Sequence, residues 1–288
     1  MRDPDQSAGC WLDGRRIGPG EGTLPLDDPA IQRGLGLFET LALRDGAVLE
    51  LEEHLDRLYG GLDRLSIKGP PRKRLRATVF ETLEGAPACG WLKIIVTGGH
   101  RDVVFRGEMD PADEGRPVTA VLLPWRRNVS SPLAGLKTLS YADNLLGLAH
   151  ARERGAGEGL WLNTRGHLSE GCSSNLFVIR GRALFTPAVR DGILPGVVRD
   201  LVIRAAKRLG MTVHEGKLRV PRLVRAREAF LTSSLRGLRP LVAFEGRPIG
   251  GGEPGATSRR LAEAVAAARV LSRPNPVTAG TEPDSGLS

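Results

Sequence analysis

The chain has few cysteines, few lysines and few aromatic residues, and it contains no long apolar run. Its three cysteines, Cys10, Cys89 and Cys172, form no CxxC pair and have no histidine at metal-ligand spacing. A disulfide framework and a zinc site are therefore not expected, and reduced thiols are. No apolar stretch approaches the roughly 18 residues that a membrane-spanning helix requires, so no membrane partner is expected. The polar, acidic start Met1–Gly9 is unlike a signal peptide, and the expected location is the cytoplasm. Lysine accounts for only six positions (Lys68, Lys73, Lys93, Lys137, Lys207, Lys217), and aromatic residues for 5% of the chain. The net charge of +8 is scattered among 33 acidic residues with no basic block interleaved with aromatics, which argues against nucleic acid as a partner. A positive field of this kind suits a small anionic substrate instead.

With 288 residues and 41% hydrophobic content, two domains with ordinary cores are the natural expectation. The reading places a flexible N-terminus at 1–9, an α+β domain at 10–124, a linker at 125–135, a second α/β domain at 136–271 and a disordered, Pro/Gly/Ser-rich tail at 272–288. Asp13-Gly14 and Asp45-Gly46 stand between apolar runs and predict hairpins. Leu51, Leu55, Leu58, Leu62 and Leu65 recur at helical spacing, and a second helix is expected after Pro70-Pro71. Strands are expected at Trp91–Val96 and Val118–Leu123. In the second half, helices at 145–154, 197–209 and 256–268 alternate with strands at 160–162, 176–179, 211–214, 229–231 and 240–244.

Two stretches carry chemistry. Lys137-Thr138-Leu139-Ser140-Tyr141-Ala142-Asp143-Asn144 sets an amine before a Tyr/Asn pair, and Leu168-Ser169-Glu170-Gly171-Cys172-Ser173-Ser174-Asn175-Leu176-Phe177 sets an anion on a small-residue turn that opens a strand. Singly, each of these residues is commonest as a solvated surface group. Together the stretches resemble the class IV, fold-type IV enzymes of pyridoxal 5'-phosphate. That group comprises branched-chain aminotransferases, D-amino-acid aminotransferases and 4-amino-4-deoxychorismate lyases. The resemblance runs from about Leu26 to Ala268 and implies a two-domain α/β (α+β) fold, D-amino-acid aminotransferase-like, with the active site between the domains and a homodimer as the assembly.

Residue by residue, the resemblance implies Lys137 as the catalytic amine that holds the cofactor and moves protons, which requires a depressed pKa. It implies Glu170 at the pyridine nitrogen and Tyr141 at the ring hydroxyl. For the phosphate it implies Arg57 of His54-x-x-Arg57-Leu58, the amides of Val197 and Val198 at a helix start after Leu194-Pro195-Gly196, and Ser233 with Ser234. Val198 stands where many relatives carry threonine, so only its backbone donor carries over. Phe38 and Thr40 alternate with Glu39 on a strand and share the face expected to meet substrate, and Leu235 is placed there too. Leu35 replaces the aspartate usual in the lyases. The arginines or histidine that clamp carboxylates in relatives would fall at Gly98, Val103 and Phe105, and Arg101, with His100 or Arg106, is the expected replacement from a shifted loop. No metal is expected. Thr40 and the Lys137-to-Tyr141 interval lean toward a 4-amino-4-deoxychorismate lyase releasing 4-aminobenzoate and pyruvate. An aminotransferase acting on branched-chain, D-amino acid or other amines is the alternative, and a non-catalytic nucleic-acid-binding protein a remote one.

Overall fold

The computed structural model describes residues 9–18 and 20–273. The expected flexible N-terminus, apart from Gly9, and the expected tail from Pro274 onward lie outside the described residues. The tail was expected to start at Ser272, but Ser272 is part of a strand.

The chain first lays down β1 (Cys10–Leu12), β2 (Arg15–Ile17), α1 (Pro29–Arg33), β3 (Gly36–Arg44), β4 (Ala47–Leu49), α2 (Leu51–Arg64), α3 (Arg72–Glu81), β5 (Cys89–Thr97) and β6 (Asp102–Glu108). There follow β7 (Val118–Arg127), α4 (Ala142–Glu153), β8 (Glu158–Asn163), β9 (Leu168–Gly171), β10 (Asn175–Arg180) and β11 (Ala183–Thr186). The last set is α5 (Val197–Arg208), β12 (Thr212–Glu215), α6 (Val220–Val224), β13 (Glu228–Ser233), β14 (Gly237–Phe244), β15 (Arg247–Pro248), α7 (Ala256–Ala267) and β16 (Leu271–Ser272).

These form two sheets. The first has the order β16-β4-β3-β5-β6-β1-β2 and is antiparallel throughout. The second has the order β12-β11-β10-β13-β14-β7-β8-β9, with β15 beside β14, and mixes parallel and antiparallel pairs. The expected Asp-Gly turns are present with the positive φ that their geometry requires, at 51° and 83° for Asp13-Gly14 and 48° and 70° for Asp45-Gly46. The leucine spacing of α2 buries Leu51, Leu55, Leu58 and Leu62 against Leu37, Leu41 and Leu43 of β3 and Leu92, Ile94 and Val96 of β5. Each of the four α2 leucines contributes on the order of 2 kcal/mol of gross transfer energy. The second sheet packs one face on α5 and α7, where Phe177 of β10 stacks on Phe230 of β13 at 4.9 Å, and carries a separate apolar cluster on the other.

Three departures from expectation bear on the site. β7 belongs to the second sheet, so the break between sheets falls between Glu108 and Val118. β7 also runs on past Pro124 to Arg127, into the stretch expected to be linker. A bulge between Leu122 and Arg126 accommodates the proline, and pairing resumes at Arg126–Leu162 and Arg127–Asn163. Finally, the shifted loop expected around His100, Arg101 and Arg106 is in part a strand, since Asp102–Glu108 form β6 in a hairpin with β5.

Candidate active site

The face of the first sheet opposite α2 looks across at the second sheet, and a cavity of about 930 Å³ lies between them. Alternation on β3 sends Leu37, Glu39 and Leu41 toward α2 and Phe38 and Thr40 toward the cavity, which both line. After β7 the chain crosses back to touch β3: Phe38 N–H donates to the Lys137 carbonyl at 2.9 Å, and Leu139 N–H to the Gly36 carbonyl at 2.9 Å. The approach is so close that a Cβ on Gly36 would stand 2.6 Å from Leu139 Cδ1 and 2.7 Å from the Val96 carbonyl. This pairing fixes Lys137 at the cavity wall, with Nζ 4.3 Å from the Phe38 ring centroid and 5.6 Å from that of Tyr141. No carboxylate pairs with Nζ within salt-bridge distance among the described residues. Burial, then the charges of Arg57 and Lys93, lower the Lys137 amine from 10.5 to about 8 against the pull of Glu39 and Glu170.

Glu170, at the end of β9, is 6% exposed. Its Oε1 accepts from Arg127 Nη1 at 2.8 Å, and its Oε2 from the Leu194 amide at 2.9 Å and Asn175 Nδ2 at 3.2 Å. Burial pushes this carboxyl upward, with Arg127, the Leu194 amide and Lys137 pulling the other way. Tyr141 meets Phe38 edge-on at 5.2 Å and donates its hydroxyl proton to the Cys172 carbonyl at 2.9 Å. Burial raises its pKa. The turn that carries Cys172 is itself built on Glu158, 1% exposed, which accepts from the Cys172 amide and from the hydroxyls of Ser173 and Ser174.

On the other side of the first sheet's inner strand lies an ion-pair cluster. Glu39, 1% exposed, accepts from Arg57 Nε at 2.8 Å, Arg57 Nη2 at 2.6 Å and His54 Nδ1 at 2.7 Å. Burial alone would raise the Glu39 carboxyl, but the charge and hydrogen bonds of Arg57 and His54 outweigh it and hold it at about 2. Burial in turn keeps His54 below its ordinary value. A carboxylate only accepts, so His54 Nδ1 carries the proton and Nε2 is left to accept from the Ser234 hydroxyl at 3.2 Å. Arg57 Nη1 donates to the Pro195 carbonyl at 3.0 Å, just before α5 begins. Two of its five N–H groups have no acceptor among the described residues.

At that helix start no side chain caps α5, and the first-turn amides are open. Gly196 is required there, since a Cβ would lie 2.0 Å from Asn175 Oδ1. Thr232, 2% exposed, lines the same cavity with a hydroxyl that has no partner among the described residues.

Of the residues singled out from sequence, Phe38, Thr40, Arg57, Lys137, Tyr141, Glu170, Val197, Val198, Ser233, Ser234 and Leu235 all line this one cavity. Arg101 does not. It sits beyond the β5–β6 hairpin turn with Nε on Asp13 Oδ2 at 2.5 Å. Arg106 is also engaged elsewhere, buried with Nη1 on the carbonyls of Thr82 and Glu84. Sequence reasoning passed over Arg127, which also donates to Asn144 and stacks 4.9 Å over Trp161, because it fell in a stretch read as linker. It passed over Glu39 as a partner of Arg57, although His54 and Arg57 one turn apart on α2 facing an acidic strand residue were a usable signal. Thr232 left no signal beyond its place before Ser233. Arg126, Arg152 and Arg236 also reach the cavity wall, so the field within it is positive and favours an anionic ligand.

The chain matches the Amino-transferase class IV family over residues 36–244. It is 33% identical over 285 residues to the branched-chain-amino-acid aminotransferase of Escherichia coli (strain K12), covering 88% of this chain and 90% of that protein. It is 26% identical over 252 residues to the aminodeoxychorismate lyase of Bacillus subtilis (strain 168), covering 82% and 86% respectively. Among solved structures, a branched-chain aminotransferase from the archaeon Thermoproteus uzoniensis with norvaline aligns with TM-score 0.83 at 25% identity, covering 90% of this chain and 93% of that one. A hypothetical aminotransferase from Mycobacterium tuberculosis in its PLP-bound form aligns with TM-score 0.83 at 28% identity, covering 90% and 98%. The fold, the cavity and these matches agree, and the chain belongs to the class IV aminotransferases, enzymes that depend on pyridoxal 5'-phosphate.

Proposed function

We propose that this enzyme is an aminotransferase whose amino donors are branched-chain or related aliphatic amino acids. The observation that carries this reading is the 33% identity to the Escherichia coli branched-chain enzyme across nearly the whole of both chains. The cavity supports it. Phe38, Tyr141 and Trp161 make an apolar wall beside Lys137, and cations rim the rest.

The described residues fit the cofactor. The uncapped start of α5, the free N–H groups of Arg57 and the orphaned Thr232 hydroxyl form a cradle for a phosphate, which the Val197 and Val198 amides, Ser233 and Ser234 complete. Glu170, held on both oxygens, would hold the pyridine nitrogen. Tyr141, whose hydroxyl donates to the Cys172 carbonyl, would hydrogen-bond the ring oxygen. Bound there, pyridoxal phosphate supplies an electron sink that stabilises the negative charge left when a proton leaves the substrate carbon bearing nitrogen. Lys137 would hold the cofactor, and its amine would remove that proton and return it. An amine lowered to about 8 has the neutral fraction that this general base work needs. The turn Ser234–Arg236 and Thr40 line the cavity, and the substrate carboxylate would sit against that turn with Thr40 beside it.

A second reading, a lyase releasing 4-aminobenzoate from 4-amino-4-deoxychorismate, is favoured by the Bacillus subtilis relative and by Thr40 at the cavity wall. The two separate cleanly. Adding L-leucine to the holoenzyme should convert the cofactor to its pyridoxamine form and 2-oxoglutarate should restore it. No conversion with any aliphatic amino acid, together with 4-aminobenzoate from the chorismate amine, would replace the first reading by the second.

We also propose a homodimer. Leu145 and Leu146 on α4 are each 60% exposed and Trp125 is 48% exposed, with Trp125 against His150 of the same helix at 5.6 Å. This patch is a face for a second copy. Sedimentation as a fully active monomer at micromolar concentration would contradict it.

A further inference from the structure

The turn Ser234–Arg236 is the part of the cavity wall held from outside. Arg269 Nη2 donates to the Ser234 carbonyl at 3.2 Å, Arg44 Nη2 reaches the Leu235 carbonyl at 3.5 Å, and the Gly115 amide donates to the Arg236 carbonyl at 3.0 Å. Three successive carbonyls are thus drawn away from the cavity. No peptide bond among the described residues is cis, and a planar trans peptide sets its N–H opposite the carbonyl that precedes it. The amides of Leu235 and Arg236 are therefore turned toward the cavity that both residues line. Among the described residues the Leu235 amide has no acceptor, and the Arg236 amide has only a long contact of 3.4 Å to Ser233 Oγ.

The outward pull originates in the C-terminal segment. Arg269, just beyond α7, clamps Glu50 with Nε at 3.2 Å from both carboxylate oxygens and Nη2 at 2.7 Å from Oε2. Glu50 is fully buried and Arg269 nearly so. The segment is fixed in turn by the first sheet: the Glu50 amide donates to the Val270 carbonyl at 2.9 Å, the Val270 amide to Glu50 Oε1 at 3.2 Å, and Leu271 and Ser272 pair with Leu49 and Val48 of β4. Arg44 is anchored on Glu114 at 2.7 Å, and Glu114 lies 3.5 Å from Arg269 Nη1.

We infer that Arg269, seated on Glu50, is a positioning residue for substrate selection: the C-terminal segment clasps the turn Ser234–Arg236 so that its two amides stay aimed at the substrate carboxylate. The inference rests on the placement of that carboxylate under the proposed function. Arg269 does not touch Lys137, and in the phosphate cradle it meets only the Ser234 carbonyl and not the Ser234 hydroxyl, which faces His54, so substrate and cofactor binding should separate.

The test uses cofactor-saturated enzyme, wild type, Arg269→Ala and Arg269→Lys, with calorimetric titration of 4-methylpentanoate, a carboxylate without an amine, and of 3-methylbutylamine, an amine without a carboxylate. In Arg269→Ala the Kd for 4-methylpentanoate should rise about tenfold, the scale of one charge-assisted hydrogen bond. The Kd values for the amine and for pyridoxal phosphate should stay within about twofold of wild type, and Arg269→Lys should recover part of the loss. If Arg269→Ala does not fold, Arg44→Ala, which acts on the next carbonyl from the partly exposed end of the clasp, should give the same selective loss. Unchanged carboxylate binding in the variant, or equal loss of carboxylate, amine and cofactor, overturns the clasp alone. Failure of wild-type enzyme to bind 4-methylpentanoate overturns both the clasp and the placement of the carboxylate, and leaves leucine transamination to be judged by its own assay.

Discussion

Replacing Glu39 by glutamine should remove the anchor of the phosphate cradle while changing no atom that lines the cavity. The carboxyl sits at about 2 against an ordinary 4.5, and at about 1.4 kcal/mol per unit this depression corresponds to about 3 kcal/mol of folding stability. A second route gives the same scale: removing one partner of a buried ion pair costs about 3–5 kcal/mol, because the remaining charge is stranded. The pH dependence has a definite sign. Glu39 is depressed in the fold, so its contribution is complete above about 4.5 and is lost as the pH falls from there through about 2. Urea unfolding of apoprotein at pH 7 should therefore show Glu39→Gln less stable by about 3 kcal/mol, and at pH 3.5 the gap should narrow by roughly 1 kcal/mol. With Arg57 no longer gripped on both nitrogens, the affinity for pyridoxal phosphate should fall about tenfold or more. A loss under about 1 kcal/mol at pH 7, with unchanged cofactor affinity, would refute the argument that Glu39 holds Arg57 in place.

Three other outcomes follow from the geometry. Arg127→Gln removes the cation from Glu170 Oε1, so the visible band of the bound cofactor should titrate at a different pH from wild type while Arg127→Lys stays closer to it; identical titrations in all three would show that Arg127 only packs. Capture of pyridoxal phosphate by apoprotein should accelerate with a midpoint near pH 8, since desolvation lowers Lys137 to about that value, and a midpoint near 10.5 would mean that the amine is fully solvated. Leu145→Glu with Leu146→Glu should halve the sedimenting mass at micromolar concentration without altering the far-ultraviolet circular dichroism, and an unchanged mass would place the interface elsewhere.

Much of the site was legible because its chemistry is carried by short contiguous runs. Lys137 and Glu170 each sit in such a run, and the Leu51-to-Leu62 spacing is a local property of one helix. What escaped depends on contacts distant in sequence. Arg127 lies in a polar stretch around a proline, and only the bulged pairing of β7 with β8 makes it a strand residue aimed at Glu170. Glu39 is seen as a strand residue on the wrong face for substrate until α2 brings His54 and Arg57 onto it. Of the β5–β6 hairpin, the first strand was expected at Trp91–Val96 and the second was not; the buried Arg106 of β6 is satisfied by two carbonyls that no sequence pattern shows. The leaning toward a lyase rested on Thr40 and one interval, and whole-chain identity outweighs it in favour of an aminotransferase. The clasp of Arg269 on Ser234 joins positions 35 apart in sequence through a carboxylate 219 residues from the arginine, and no local reading reaches it.

The central claim is that Lys137 carries the cofactor in a class IV active site. The measurement that meets it most directly is borohydride reduction of the cofactor-saturated enzyme followed by peptide mapping. Lys93 is the informative competitor, because its Nζ also lies over the Phe38 ring, at 4.9 Å against 4.3 Å for Lys137, and desolvation lowers its pKa as well. A single pyridoxyl group on Lys137, absent from Lys137→Ala, is the predicted result. A group on Lys93 or any other lysine of the wild-type enzyme, or none at saturation, would contradict the account.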